Sequence, residues 1–188
     1  MLNEEEIIQR LQDKKKQRAA FTEIVIHFSE PLYWQIRKMV LSHDDANDLL
    51  QNTFMKSWMN IDSFRGESKL STWLYRIAVN ETITFLNRQK LKNQVSITGD
   101  KVDKSLLDVL EADRYFSGDD VQLNLQRAIL TLPDKQRMVF NMKYFDDMKY
   151  EEISEITGTS VGALKASYHH AVKKIEDYLA SDVMHGEN

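Results

Sequence analysis

The sequence predicts an all-α protein made of two small helical domains joined by an acidic linker, and three observations carry that prediction. Only 6 Gly and 2 Pro occur in 188 residues, so turn signals are sparse and long helices are expected. Apolar residues recur at spacings of three and four along most of the chain. Between 93 and 120 that periodicity fades while acids accumulate, which divides the chain into segments 1–92, 93–120 and 121–188. A hydrophobic content of 42% is enough to build buried cores in domains of this size.

The first block is read as a series of helices. Segments 1–18 and 19–41 carry apolar stripes at Ile7, Ile8 and Leu11 and at Phe21, Ile24, Val25 and Phe28, with Pro31 expected to open or kink a turn. Ser42, followed three residues later by Asp45, has the form of an N-cap. A helix to about Asn60 follows, with Ala46, Leu49, Leu50, Thr53, Phe54 and Trp58 inside. Its other face presents Asn47, Asp48, Gln51, Asn52 and Lys56, which either water or a partner would satisfy. A polar break around Gly66 precedes another helix, capped by Ser71 or Thr72 and running to about Lys92. Leu74, Ile77, Ala78 and Phe85 form its buried stripe, while Trp73, Arg76, Asn80, Thr84, Asn87 and Arg88 fall on another face.

The net charge of −4 argues against a protein that finds nucleic acid by bulk positive charge. The distribution is uneven. Residues 1–62 carry 8 basic and 10 acidic side chains, residues 63–92 carry 6 and 2, residues 93–120 carry 3 and 7, and residues 121–188 carry 8 and 10. The basic island also holds Phe64, Trp73, Tyr75 and Phe85, and rings beside cations suit the stacking and phosphate neutralisation that single-stranded nucleic acid requires. An amphipathic helix with buried rings is the alternative.

The linker 93–120 holds a short helix around Leu106–Leu110. The second block opens with a helix from about Val121 to Thr131, and Pro133 suits the first turn of the next one, which reaches about Tyr144. In YEEISEITGTSVGALKASYHHAVKKIEDYL, Gly158 divides a short helix from a long one, the pattern of a helix-turn-helix. Val161, Leu164, Tyr168, Ala171, Val172 and Ile175 seat the long helix. The opposite arc holds Ala163, Ala166, His170, Lys173 and Lys174, and no acid occurs from Ser160 to Ile175. A face meant for phosphates and base edges should lack carboxylates, although a helical hairpin with a basic solvent face would read the same way.

Taken in order, DDANDLLQNTFMKSW at 44–58, DSFRGESKLSTWLYRIAVNETITFLNRQK at 62–90 and the segment 132–175 from LPDKQR through the helix-turn-helix resemble a family. It is the sigma-70 family of bacterial RNA polymerase sigma factors, in its extracytoplasmic-function group. The resemblance implies a sigma region 2-like domain over 1–92 and a region 4-like domain over 121–188. It implies a transcription initiation factor that binds core RNA polymerase, through the largest subunit's clamp helices and the flap, and promoter DNA.

Residue by residue, the resemblance implies polymerase contacts by Asn47, Asp48, Gln51, Asn52 and Lys56. It implies recognition and opening of the −10 element by Phe64, Arg65, Lys69, Trp73, Tyr75, Arg76, Asn80, Thr84 and Arg88. Contacts at the −35 element fall to Lys149, Ser160, Ala163, Lys165, Ala166, Ser167, His170 and Lys173. The linker carboxylates would thread into polymerase channels where RNA will run, or form a plain solvated tether. An anti-sigma factor, often membrane-anchored, is the implied regulator. Asn52 stands where the family commonly has an acid, and Ser167 and His170 stand where it often has arginines, so the −35 sequence read by this chain is expected to differ.

Other readings remain at this point. A stand-alone helix-turn-helix regulator would leave segment 62–90 unemployed, and an adaptor would use both blocks to bind proteins. An enzyme is disfavoured because Glu151/Glu152 and His169/His170 lie on helix faces without a nucleophile, a phosphate loop or a complete metal-ligand set, so neither cofactor nor metal is expected. The absence of cysteine excludes disulfides and fits a reducing compartment. The N-terminus lacks a signal-peptide core and no apolar run approaches the ~20 residues of a membrane span, so a cytoplasmic location without membrane insertion is expected.

Overall fold

A computed structural model describes residues 3–93, 107–110 and 120–185. The first block contains α1 (Glu4–Gln12), α2 (Gln17–Val40), α3 (His43–Met59), a 3₁₀ turn (Ile61–Ser63) and α4 (Leu70–Asn93). The second contains α5 (Asp120–Leu130), α6 (Asp134–Tyr144), α7 (Tyr150–Thr157) and α8 (Val161–His185). Every regular element among the described residues is helical, as the sparse Gly and Pro predict.

Local chemistry sets most boundaries. Ser42 caps α3 by accepting from the Asp45 N–H at 3.2 Å, and Asp44 and Asp45 place charge at the positive end of the helix dipole. Three expectations differ. Pro31 lies inside a continuous α2, because Ile24, Leu32 and Ile36 are buried on either side of it and their packing outweighs one missing backbone hydrogen bond. Helix α4 begins at Leu70, ahead of Ser71 and Thr72, because the Glu4 carboxylate of α1 accepts the Leu70 N–H and supplies the cap from another helix. Pro133 occupies the N-cap of α6 in extended geometry, φ −56° and ψ 145°, one position before the first turn.

Buried side chains gather into one cluster that crosses between the blocks. It runs from Ile24, Leu32, Ile36, Leu74 and Ala78 to Met138, Met142, Ile153, Ile156 and Leu164. A second cluster of Ala128, Ile129, Leu132, Phe140, Ala171 and Ile175 fastens α5 and α6 to α8, with Phe140 stacked on Tyr168 at 5.7 Å. The helical turn 107–110 of the linker packs too: Leu110 is fully buried against Leu41 and Leu130. The remaining linker acids, apart from Asp108 and Asp120, lie outside the described residues. Along α4, Leu70, Leu74, Ala78, Val79, Thr82 and Leu86 are buried, whereas the expected Ile77 and Phe85 are half-buried at the edges of that stripe.

Candidate partner and nucleic-acid interfaces

Helix α3 presents Asp48, Gln51, Asn52 and Lys56 to solvent, as its periodicity predicts. Asn47 is half-buried and donates from Nδ2 to His43 Nε2 at 3.0 Å, while His43 Nδ1 faces the Tyr33 hydroxyl at 2.7 Å. Lys56 reaches across to Glu81 of α4 at 2.5 Å. The sequence reading missed what adjoins this polar row. Met55 and Met59 are 51% and 72% exposed, and their spacing from Asp48, Gln51 and Asn52 puts them on the same face. Trp58, expected inside, is 40% exposed and lies over Phe21 at 5.0 Å. Adjacent exposed apolar side chains on a mixed face are costly in water and suit a protein partner.

Helix α4 carries the second surface. Trp73, Arg76, Asn80, Thr84 and Arg88 follow one another at three- and four-residue spacing, and the last four are exposed. The half-buried Trp73 ring meets Phe64 at 5.0 Å and a 37° tilt, so the loop before α4 and its first turn offer one aromatic platform. Gly66, at φ 74°, turns that loop back toward Ile8. Arg65 is exposed. Lys69 and Arg76 are engaged: Lys69 lies 3.7 Å from Glu152, and Arg76 donates to the Glu155 carbonyl at 2.6 Å. Tyr75 is half-buried like Trp73, and partial burial, with a smaller contribution from Asp146, pushes its phenol up to about 12.

The third surface is the helix-turn-helix of α7 and α8. Gly158 closes α7 in the left-handed conformation, φ 69° and ψ 14°, and its N–H donates to the Ser154 carbonyl at 2.8 Å. Ser160 caps α8, its hydroxyl accepting from the Ala163 N–H at 3.4 Å. Leu164, Ala171 and Ile175 are buried beneath, and Ala163, Lys165, Ala166, His170, Lys173 and Lys174 are exposed on the acid-free side. Ser167 is half-buried, and its carbonyl accepts from Gln136 Nε2 at 3.4 Å. Lys165 sits 5.8 Å from the Tyr150 ring. Lys149 is exposed at the start of α7, where its backbone N–H donates to the Glu152 carboxylate at 3.0 Å. Among the described residues no group of three His, Asp or Glu side chains is placed to hold a metal ion, and no helix is long and apolar enough to cross a membrane.

Comparison with known proteins places these surfaces in a family context. Residues 24–92 match the model of sigma-70 region 2 and residues 122–175 that of sigma-70 region 4. The ECF RNA polymerase sigma factor SigW of Bacillus subtilis is 34% identical over 175 residues, covering 89% of this chain and 93% of that protein. The ECF RNA polymerase sigma-E factor of Escherichia coli K12 is 28% identical over 191 residues, covering 94% of each. The sigma factor RpoE, solved in complex with the anti-sigma factor NepR from Bartonella quintana, superposes with a TM-score of 0.65 at 26% identity, over 86% of this chain and 98% of that one. CnrH, solved in complex with the cytosolic domain of CnrY, shares the fold with a TM-score of 0.69 at 19% identity, over 95% of this chain and 98% of that one. The two matched regions, in this order and on these helices, together with the SigW likeness, make the chain a member of the ECF group of sigma-70 RNA polymerase sigma factors.

Proposed function

We propose that this promoter-specific initiation factor divides its work among the three surfaces. Segment 1–92 binds core polymerase through the α3 face and takes the −10 element with the Phe64–Trp73 platform and the α4 stripe. Segment 121–188 reads the −35 element with α8, and segment 93–120 connects them. The single observation that carries the reading is the exposed, acid-free arc of α8 from Ala163 to Lys173, paired with a second cationic and aromatic surface on α4. Neither a lone helix-turn-helix regulator nor an adaptor needs both.

The energetics fit. Extruding a base costs a few kcal/mol, and stacking it on an aromatic ring returns about 1–3 kcal/mol, so the platform suffices only where polymerase already holds the duplex. The factor acts in the cytoplasm, where core polymerase and DNA reside, and an anti-sigma protein of the kind seen with the RpoE relative is its regulator. The test is reconstitution with core polymerase on a promoter fragment, scored by permanganate reactivity of opened thymines. Opened thymines only when factor and core are both present support the reading. Complex formation with core without opening at any promoter would favour the adaptor.

A further inference from the structure

Helix α1 lies before residue 24, where the match to sigma-70 region 2 begins, and neither the −10 nor the −35 reading uses it. It is nonetheless fastened to the first block. Ile7 and Leu11 are buried in the core, and Arg10 pairs with Glu23 of α2 through two hydrogen bonds, at 2.5 and 2.9 Å. Residues 4–17 also touch the segment 61–70, which carries Phe64 and leads into Trp73, at three points. At its start, Asp62 of the 3₁₀ turn accepts from Lys14 Nζ at 2.6 Å and from the buried Gln17 Nε2 at 2.8 Å. In the middle, Ile8 lies against Gly66, 3.7 Å from the position a Cβ would take there. At the end, the Glu4 carboxylate accepts the Leu70 N–H that opens α4.

We propose that residues 4–17 form a splint for the −10 loop, with Glu4 as a positioning residue that sets the arrangement in which Phe64 and Trp73 meet the opened strand. The inference rests on the −10 assignment of that aromatic pair made above. The α4 end of the loop lacks a cap of its own. The Lys69 carbonyl accepts the Trp73 N–H at 3.1 Å, which puts Lys69 at the N-cap, and an ammonium group offers no acceptor to the free N–H groups of a first turn. Glu4 provides the acceptor from another helix, and its charge faces the positive end of the α4 dipole.

What the splint supplies is geometry. The Phe64 and Trp73 rings meet at 5.0 Å with one ring at each end of the loop, so their alignment depends on both ends being fixed. Trp73 stands in the first turn of α4, and fraying of that turn would move it away from Phe64. Asp62 fixes the other end two residues before Phe64. Hydrogen bonds from Lys14 and then Gln17 hold its carboxyl below the ordinary range, so this anchor keeps its charge at neutral pH. Lys14 and Asp62 are largely exposed and their attraction is screened, which leaves the buried Gln17 amide and the half-buried Glu4 as the firmer holds.

The test uses the full chain with core polymerase on a promoter fragment. Glu4→Ala deletes the acceptor and Glu4→Gln keeps one; both remove one acid, so a general charge effect on DNA is common to the two and their difference reads the cap. A nitroxide on Glu67→Cys, an exposed loop position in a chain without cysteine, reports loop mobility by electron paramagnetic resonance. Expected for Glu4→Ala are a more mobile label and a loss of permanganate-detected opening of about 2- to 30-fold, the range that loss of a helix cap allows. Core affinity should stay unchanged, and Glu4→Gln should stay close to wild type. Normal opening by Glu4→Ala, while Trp73→Ala fails to open, would overturn the splint and leave the −10 assignment standing. Equal losses in Glu4→Ala and Glu4→Gln, or a fall in core affinity in step with opening, would reduce Glu4 to a structural residue and overturn its positioning role. Normal opening by Trp73→Ala would instead contradict the −10 assignment, and the splint with it.

Discussion

Gly158→Ala tests the joint of the helix-turn-helix, and its cost can be worked from the backbone alone. Gly158 sits at φ 69°, and a Cβ built there meets no atom within 4 Å. Steric crowding with neighbours therefore contributes nothing, and the penalty is that of an L-residue in the left-handed region, ~1–2 kcal/mol. Alanine also restricts the unfolded chain, which returns ~0.4–1 kcal/mol. The net loss is between about 0 and 1.6 kcal/mol, and at ~2–4 °C per kcal/mol for a chain of this length the melting temperature should fall by up to about 6 °C. Gly158→Asn should lose less, because asparagine tolerates this conformation better.

The control lies four residues on. Gly162 has no positive φ, also has open space around its Cβ position, and stands in the first turn of α8. Gly162→Ala should therefore stabilise, by up to about 0.5–1 kcal/mol. Differential scanning calorimetry of the three variants under one buffer decides the matter. Shifts of the same sign for Gly158→Ala and Gly162→Ala would refute the assignment of the turn geometry.

Three further outcomes are expected. Trp73→Ala should cut promoter opening by about 5- to 150-fold, the equivalent of ~1–3 kcal/mol of lost stacking, and leave core binding nearly intact. Asp48→Ala and Gln51→Ala should do the reverse, in permanganate and core-binding titrations run side by side. Leu164→Ala empties a fully buried site under the recognition helix; urea unfolding should register a loss of ~2–5 kcal/mol. For Asp146, burial holds the carboxyl above its ordinary value of 3.8 despite the Lys38 hydrogen bond. A carboxyl raised on folding binds its proton more tightly in the folded chain, so its contribution to stability is complete below 3.8 and is lost as pH rises through the raised value. Asp146→Asn removes that loss, and its melting temperature should gain on wild type as pH rises above 3.8.

The all-α architecture and the helix-turn-helix were legible because periodicity, caps and the Gly158 break all act within a few residues. The same locality explains the differences. Pro31 signals a break in isolation, but burial of Ile24, Leu32 and Ile36 across it decides the outcome. The cap on α4 comes from Glu4, 66 residues away, which no local pattern reveals. Tyr75 lies on the α4 wheel in line with Thr82 and Leu86, which is why it is half-buried rather than fully exposed. Met55 and Met59 were readable as partners of Gln51 and Asn52, since they share the α3 face, but methionine at helical spacing suggests core unless exposure is known. The packing of α6 on the end of α2 was illegible because Arg137 and Asn141, which donate to the Met39 and Lys38 carbonyls, look like surface residues of α6 until α2 is placed against them.

The central claim, that the chain directs core polymerase to promoters, is tested most directly by adding the purified protein to sigma-free bacterial core polymerase and sequencing the 5′ ends of transcripts made from genomic DNA. The account predicts discrete start sites that share two spaced upstream sequence elements and that vanish when the factor is omitted. Transcripts with no defined starts, or starts indistinguishable from those of core alone, would contradict it.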